Sequence, residues 1–99
     1  MRQYIQTVRS RALAGREDEY RAWYVGTHIS EVMALGGYTS AEFYSDTAGS
    51  TDFLCIYKLE TDDLPIMQAA MAAAGPSMTP SEAMDVPATQ IEFFEQTST

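Results

Sequence analysis

The stretch that decides the fold spans residues 16–44 and reads REDEYRAWYVGTHISEVMALGGYTSAEFY. It predicts a helix over residues 16–35, because this part holds no proline and opens with acidic residues at 17–19, where a helix N-terminus favours negative charge. Glycines at positions 36 and 37 permit the left-handed backbone that commonly ends a helix. Residues 38–44 then predict a strand.

Working outward, the rest of the chain predicts three more strands and a second helix. The strands are expected at 4–9, 53–58 and 89–96, with a turn at 45–51 that joins the second and third strands into an antiparallel hairpin. Thr61-Asp62-Asp63 resembles a cap before a helix that contains Pro65 in its first turn and stops at Gly75-Pro76. The order βαββαβ is that of the α+β ferredoxin-like fold, a four-stranded antiparallel sheet with two helices on one face.

The predicted strands carry apolar side chains on both faces. Phe53-Leu54-Cys55-Ile56-Tyr57 has no polar side, and Ile91-Glu92-Phe93-Phe94 does not alternate cleanly. Two helices cover one face, so the other face needs a second cover. The 99 residues have material for only one domain, 1–99, and we therefore predict a symmetric homodimer in which a second copy covers the sheet. A monomer with a few exposed aromatic side chains is the alternative.

The net charge of −8 comes from six basic and fourteen acidic residues, which argues against a nucleic acid partner because phosphate binding needs clustered Lys and Arg. No window approaches the apolar length of a membrane span, and no apolar signal run follows the first residues, so we expect no membrane partner and a cytoplasmic location. Cys55 is alone and lies in an apolar strand, which favours a small buried side chain over a nucleophile.

The predicted first helix carries the residues that are able to take part in acid–base chemistry. Tyr20, Tyr24 and His28 lie on one stripe at four-residue spacing, which Glu31 continues. An adjoining aliphatic stripe consists of Ala22, Val25, Ile29, Val32 and Met33. His28 can exchange protons near neutrality, Tyr24 can hydrogen-bond a carbonyl or enolate, and Glu31 could orient the imidazole. Trp23 would provide a flat apolar surface against which an aromatic ring could pack. A histidine that only packs and hydrogen-bonds locally is the alternative interpretation.

Methionines are concentrated in the second helix and after it. Met67 and Met71 share a face of that helix, and Met78 and Met84 lie in the proline-containing loop that follows. Methionine adapts to irregular apolar shapes, so these side chains could line a pocket, and the loop of about thirteen residues favours a lid. The alternative is that these methionines fill gaps in an ordinary hydrophobic core.

One His and one Cys make a metal site improbable, and a phosphate-binding glycine loop is absent from the sequence, so we expect no cofactor.

The same residues resemble a known family. The run Tyr20-x-x-Trp23-Tyr24-x-x-x-His28-Ile-x-x-Val32, followed by Gly37-Tyr38-x-Ser-Ala41 and Phe43-Tyr44, is similar to the EthD-like branch of the dimeric α+β barrel superfamily. The similarity covers residues 17–44, and Gly36-Gly37 stands where the family usually has Pro-Gly. The resemblance implies a ferredoxin-like protomer, a two-fold dimer and a pocket between sheet and helices. Similar members include cofactor-independent dehydratases, cyclases and lactone isomerases, and the wider superfamily includes cofactor-free monooxygenases and haem-degrading enzymes.

These observations favour a cofactor-independent, homodimeric lyase, cyclase or isomerase that acts on a small hydrophobic, oxygenated molecule of aromatic or polyketide-like type. His28 and Tyr24 are the predicted catalytic residues, with His28 as general base or acid. The predicted substrate-binding residues are Trp23, Tyr20, Glu31, Met67 and Met71. A non-catalytic binding protein is the first alternative, and a cofactor-free or haem-linked monooxygenase is the second.

Overall fold

The computed structural model describes residues 1–98 and confirms the predicted order of elements. Four antiparallel strands form one sheet in the order β2-β3-β1-β4, and two helices cover one face. The strands are β1 (Arg2–Arg11), β2 (Tyr38–Ser45), β3 (Asp52–Thr61) and β4 (Gln90–Glu95). Helix α1 comprises three consecutive segments, Glu17–Trp23, Tyr24–His28 and Ile29–Met33, and helix α2 is Leu64–Ala74.

The two central strands, β1 and β3, pair along their full length, from Arg2 opposite Thr61 to Arg11 opposite Asp52. Alternate side chains of these strands point toward the helices and are buried. On this face lie Tyr4, Gln6, Val8, Ser10, Phe53, Cys55, Tyr57 and Leu59. The prediction that Cys55 is a small buried side chain is confirmed, since it is 0 % exposed.

The other face of the sheet, which we call the outer face, carries no helix among the described residues. Its apolar side chains are Ile5, Leu54, Ile56, Tyr44 and Phe94. The first three are half-buried, whereas Tyr44 and Phe94 are about half exposed. The sequence prediction of apolar groups on both faces is therefore confirmed. Arg9 and Lys58 on the same face are exposed.

Helix α1 is not a uniform α-helix, because its middle segment, Tyr24–His28, is a π-helical turn. The buried side chains of α1 are Tyr20, Tyr24 and Val32. In a regular α-helix Tyr20 and Val32, twelve residues apart, would point about 120° apart. The wider π turn brings them to the same side. The predicted aliphatic stripe is wrong at Val25, which is 55 % exposed, because the tyrosines fill the core side before the π turn.

Helix α2 begins as its sequence predicts and is only partly buried against the sheet. The Asp63 side chain accepts a hydrogen bond from the Ile66 backbone N–H at 3.2 Å, and Pro65 lies in the first turn. None of its residues is fully buried. Met67 packs against Gly37, whose φ of +97° is a left-handed conformation that favours glycine. A Cβ at Gly37 would lie 2.7 Å from the Met67 Cε atom and 3.1 Å from the Glu60 carbonyl oxygen, so the end of the Met67 side chain would have to shift to make room for it.

Candidate functional site

A cavity of about 410 Å³ lies between the helix-covered face of the sheet, α1, α2 and the loop that follows α2. Its floor is formed by Gln6 and Val8 of β1, Tyr57 of β3 and Ile91 of β4. Trp23, Tyr24, His28 and Val32 form the α1 wall, and Met71 contributes from α2. The loop side includes Met78, Thr79, Met84, Val86 and Thr89. This volume and mostly apolar lining are typical of sites for small organic molecules.

Three of the sequence-predicted residues form an aromatic corner of the cavity. The rings of Trp23 and His28 are stacked, with centroids 4.7 Å apart and planes 19° apart. The Tyr24 ring meets the His28 ring edge to face at 4.9 Å. Residues five apart would point about 140° apart in a regular α-helix. The π turn, in which the Ile29 N–H donates to the Tyr24 carbonyl, therefore brings Trp23 and His28 into contact. Turns of this kind are frequent at functional sites.

The environment of His28 favours the neutral imidazole. Burial lowers the pKa of this half-buried ring below its ordinary value of 6.5, and the nearby Glu31 carboxylate opposes the shift. The Nδ1 atom is buried and has no hydrogen-bond partner within residues 1–98. A proton on Nδ1, which is present both in the charged ring and in the neutral form that acts as a base at Nε2, has no acceptor among these residues. Nε2 is the nitrogen left to meet a ligand.

Tyr24 shares a hydrogen bond with a second phenol, Tyr57 on β3. The Tyr57 hydroxyl donates to the Tyr24 oxygen at 3.2 Å. Burial is the main cause that raises the pKa of both phenols, and proximity to Tyr57 raises the pKa of Tyr24 further. Both groups therefore stay protonated at neutral pH. Since Tyr24 accepts from Tyr57, its own O–H is left to donate either to the neighbouring Cys55 thiol or to an oxygen atom in the cavity.

Gln6 on the cavity floor was missed by the sequence analysis. The side chain is 2 % exposed, and its Oε1 accepts a hydrogen bond from the Tyr38 hydroxyl. Its Nε2 makes no hydrogen bond to residues 1–98 and is not one of their buried side-chain atoms without a partner, so this amide group is accessible from the cavity. This donor can therefore bind an acceptor atom of a molecule in the cavity. The signal was present in the strand, because Gln6 lies between Tyr4 and Val8 on the inward side.

Three other predicted site residues lie outside the cavity lining. Tyr20 is fully buried beneath it, and its hydroxyl donates to Ser10 Oγ at 2.7 Å. Met67 packs on Gly37 at the start of β2. Glu31 makes no hydrogen bond to His28 and instead accepts hydrogen bonds from Thr79. Met71 lines the cavity, so the two methionines that share a helix face in the sequence have different surroundings.

Two negative findings apply to residues 1–98. No group of three or more His, Cys, Asp or Glu side chains is placed to hold a metal ion in this part of the chain. Within the same residues, neither helix has the length and apolar character needed to cross a membrane.

The sequence matches no protein-family model and no curated protein. Solved structures do match over nearly the whole chain. A Bordetella bronchiseptica protein provisionally assigned as an antibiotic biosynthesis monooxygenase has a TM-score of 0.72 and 13 % identity, covering 99 % of this chain and 100 % of that chain. SnoaB, a cofactor-independent oxygenase from Streptomyces nogalater, has a TM-score of 0.66 and 11 % identity, with coverages of 100 % and 97 %.

A third similar structure is a variant of MhuD with two manganese protoporphyrin IX molecules bound per active site. Its TM-score is 0.68 at 14 % identity, and the match covers 97 % of this chain and 96 % of that chain. At such low identities these likenesses show the fold alone. The chain has the ferredoxin-like fold of dimeric α+β barrel proteins, as the sequence predicts.

Proposed function

We propose that the chain is a cofactor-independent enzyme that moves a proton on a small, hydrophobic, oxygenated substrate of aromatic or polyketide-like type. The observation that carries the proposal is a single imidazole, in contact with Trp23 and Tyr24 and with a pKa lowered by burial, in an apolar cavity of about 410 Å³. We also propose membership of the EthD-like branch, on the run from Tyr20 to Val32. Elimination, cyclisation and isomerisation of carbonyl compounds can each begin with a proton transfer of this kind.

His28 and Tyr24 have complementary roles in this proposal. The neutral His28 ring takes a proton from a carbon next to a carbonyl, so that the C–H bond breaks and an N–H bond forms. Tyr24 donates a hydrogen bond to the resulting enolate oxygen. The imidazolium is a strong acid in a site that disfavours its charge, and it returns the proton to carbon or to a departing hydroxyl group. Trp23 offers a flat apolar surface to the substrate ring.

Of the remaining residues of the site, some contact the substrate in this proposal and others support the cavity walls. Met71 contacts it directly, and Gln6 Nε2 donates to a second oxygen. Tyr20, Glu31 and Met67 support the cavity walls through their contacts with Ser10, Thr79 and Gly37.

A cofactor-free oxygenase is the second candidate, and the likeness to SnoaB favours it. The first step would be the same, since an enolate formed at His28 could react with dioxygen. A methylene group would become a carbonyl, and the second oxygen atom would leave as water. A haem-linked oxygenase fits the site less well. No Arg or Lys side chain lines the cavity within the described residues, so the two carboxylates of a haem would have no cationic partner.

Hydrogen–deuterium exchange on a ketone tests the proposal without knowledge of the final product. The probe is 2-tetralone, an aromatic ketone with an acidic methylene group, followed by NMR in D2O. We expect the chain to accelerate exchange, and His28→Ala to lower the accelerated rate by about 10²–10⁴-fold, the usual contribution of a general base. Tyr44→Phe, on the outer face, is the control and should exchange at the wild-type rate.

Each alternative predicts a different result in the same assay. Full exchange activity in both His28→Ala and Tyr24→Phe would eliminate the proposed mechanism. Ligand binding that survives His28→Ala, with no exchange by the wild-type chain, would favour the non-catalytic binding protein. Consumption of dissolved oxygen together with exchange would identify the oxygenase.

We further propose that a second copy covers the outer face of the sheet. The half-buried Ile5, Leu54 and Ile56 side chains and the exposed Phe94 support this interface, since they form an apolar strip across three strands. Arg9 and Lys58 on the same face could pair with Glu42 and Glu92 of a two-fold related copy.

A further inference from the structure

The loop after α2 is attached to the rest of the protein in two different ways. Its later part, residues 82–85, is fixed to the connection between β1 and α1. The Leu13 N–H donates to the Ala83 carbonyl at 2.7 Å, and the Asp85 N–H donates to the Arg11 carbonyl at 2.8 Å. Ala83 itself is fully buried. This part of the loop is an anchor.

Residues 78–81, which we call the strap, are attached through Thr79. Its backbone N–H donates to both carboxylate oxygens of Glu31, at 3.1 and 3.0 Å, and its hydroxyl donates to Glu31 Oε2 at 3.1 Å. Its carbonyl accepts a hydrogen bond from Trp23 Nε1 at 3.1 Å. Within residues 1–98, these are the hydrogen bonds that join the strap to the protein outside residues 75–84.

The two partners of Thr79 lie on either side of the π turn that contains His28. Trp23 comes just before that turn and Glu31 comes after it, so the strap is fastened across the His28 corner of the cavity. Met78, Thr79 and Pro80 all line the cavity. Thr79 is nevertheless exposed, and its bonds to Glu31 can be replaced by water without unfolding the core.

We propose that the strap is a lid over the cavity, closed by Thr79 on Glu31 and Trp23, and that its opening controls ligand entry and release. The lid would turn at Gly75-Pro76, where α2 ends, and at the junction between the strap and the anchor. Glu31 is then a positioning residue that acts through Thr79. This inference rests on the proposal that the cavity binds a small molecule, and it adds how that molecule enters.

The first measurement concerns the free protein and needs no ligand. The Met78 N–H donates to the Gly75 carbonyl, across the proposed turning point at Gly75-Pro76. Glu31 is not its acceptor, so the Glu31→Ala substitution does not remove this hydrogen bond itself. Faster hydrogen exchange at Met78 in that variant would therefore indicate that the strap opens more often. We expect Glu31→Ala to speed exchange at Met78 by about tenfold or more, with residues 53–59 of β3 unchanged. Asp18→Ala, which removes an exposed carboxylate from the same helix, should leave Met78 unchanged. Equal rates in Glu31→Ala and wild type, or faster exchange throughout β3, would overturn the proposal.

The second measurement uses N-phenyl-1-naphthylamine, an apolar fluorescent probe, in stopped-flow binding. A lid predicts that Glu31→Ala raises both the association and dissociation rates by about tenfold or more, with the Kd changed by less than about threefold. Unchanged rates, or a rise in dissociation alone, would contradict the lid. Failure of the probe to bind the wild-type chain would count against the proposed binding cavity, whereas Met78 exchange would still decide the lid.

Discussion

His28 obtains its surroundings from residues within five positions on its own helix. Trp23 stacks on one side of the ring, Tyr24 meets its edge, and Glu31 lies near enough to affect its pKa. The sequence shows that Trp23, Tyr24 and His28 share a helix region, and the structure brings all three to one cavity. The partner of Glu31 could not be predicted, because Thr79 lies 48 positions away in a loop whose path is set by tertiary contacts.

The lowered pKa of His28 has a consequence for acid stability. Below pH 6.5 the unfolded chain binds a proton at this residue that the folded chain resists until its own lower pKa is reached. Folding stability therefore rises with pH across this window and is lost as pH falls through it. We expect the Tm to drop more between pH 7 and pH 5 in the wild type than in His28→Gln. An equal drop in the two proteins, measured by thermal denaturation, would show that the folded pKa is not lowered.

Among the elements, those with strong local signals were predicted well and the irregular one was not. The cap at Asp63 and the glycine pair before β2 correctly bounded their elements. Strands β1, β2 and β3 extend one to three residues beyond their predicted ends, because pairing with a neighbour continues where side-chain alternation stops, whereas β4 is one residue shorter at each end. The π turn was not predicted, since the sequence was interpreted with a constant 100° per residue. Val25 was assigned to the wrong face for that reason.

Gly37 lies between α1 and β2 in a conformation that makes folding stability sensitive to substitution there. Alanine there would adopt a φ of +97° and place its Cβ 2.7 Å from Met67 Cε and 3.1 Å from the Glu60 carbonyl oxygen. We expect Gly37→Ala to lower the free energy of unfolding by about 1–3 kcal/mol in urea denaturation. Gly36→Ala is the matched control, because its Cβ would meet nothing within 4 Å and should change stability by less than about 0.5 kcal/mol. Equal effects of the two substitutions would contradict this account.

At the scale of the whole molecule, the fold class and the existence of two apolar sheet faces were predictable from strand composition. The cavity was not, because its size depends on how α2 and the following loop rest on the sheet. Helix α2 has no fully buried residue, so it leaves space that its apolar sequence would not suggest. Met67 and Met71 illustrate the point, since one fills a contact and the other lines open space.

The proposed homodimer has a mass of about 22 kDa in solution, twice the 11.0 kDa of one chain. Light scattering coupled to size-exclusion chromatography at micromolar concentration measures it. Ile56→Glu, on the outer face, should shift the mass to that of one chain, because the interface cannot pair the buried charge. Ile66→Glu, an exposed position on α2, should keep the dimer mass. A wild-type species of 11.0 kDa would remove the interface from the proposal.

The stacking of Trp23 on His28 gives the protein an optical property of its own. The chain contains one tryptophan and one histidine, and the two rings are in contact at the cavity wall. A protonated imidazole quenches indole fluorescence far more than a neutral one, and an aromatic ligand beside the indole also alters its emission. The intrinsic fluorescence of the unlabelled chain should therefore respond both to the charge of His28, when pH is varied, and to an aromatic molecule in the cavity, when pH is held constant.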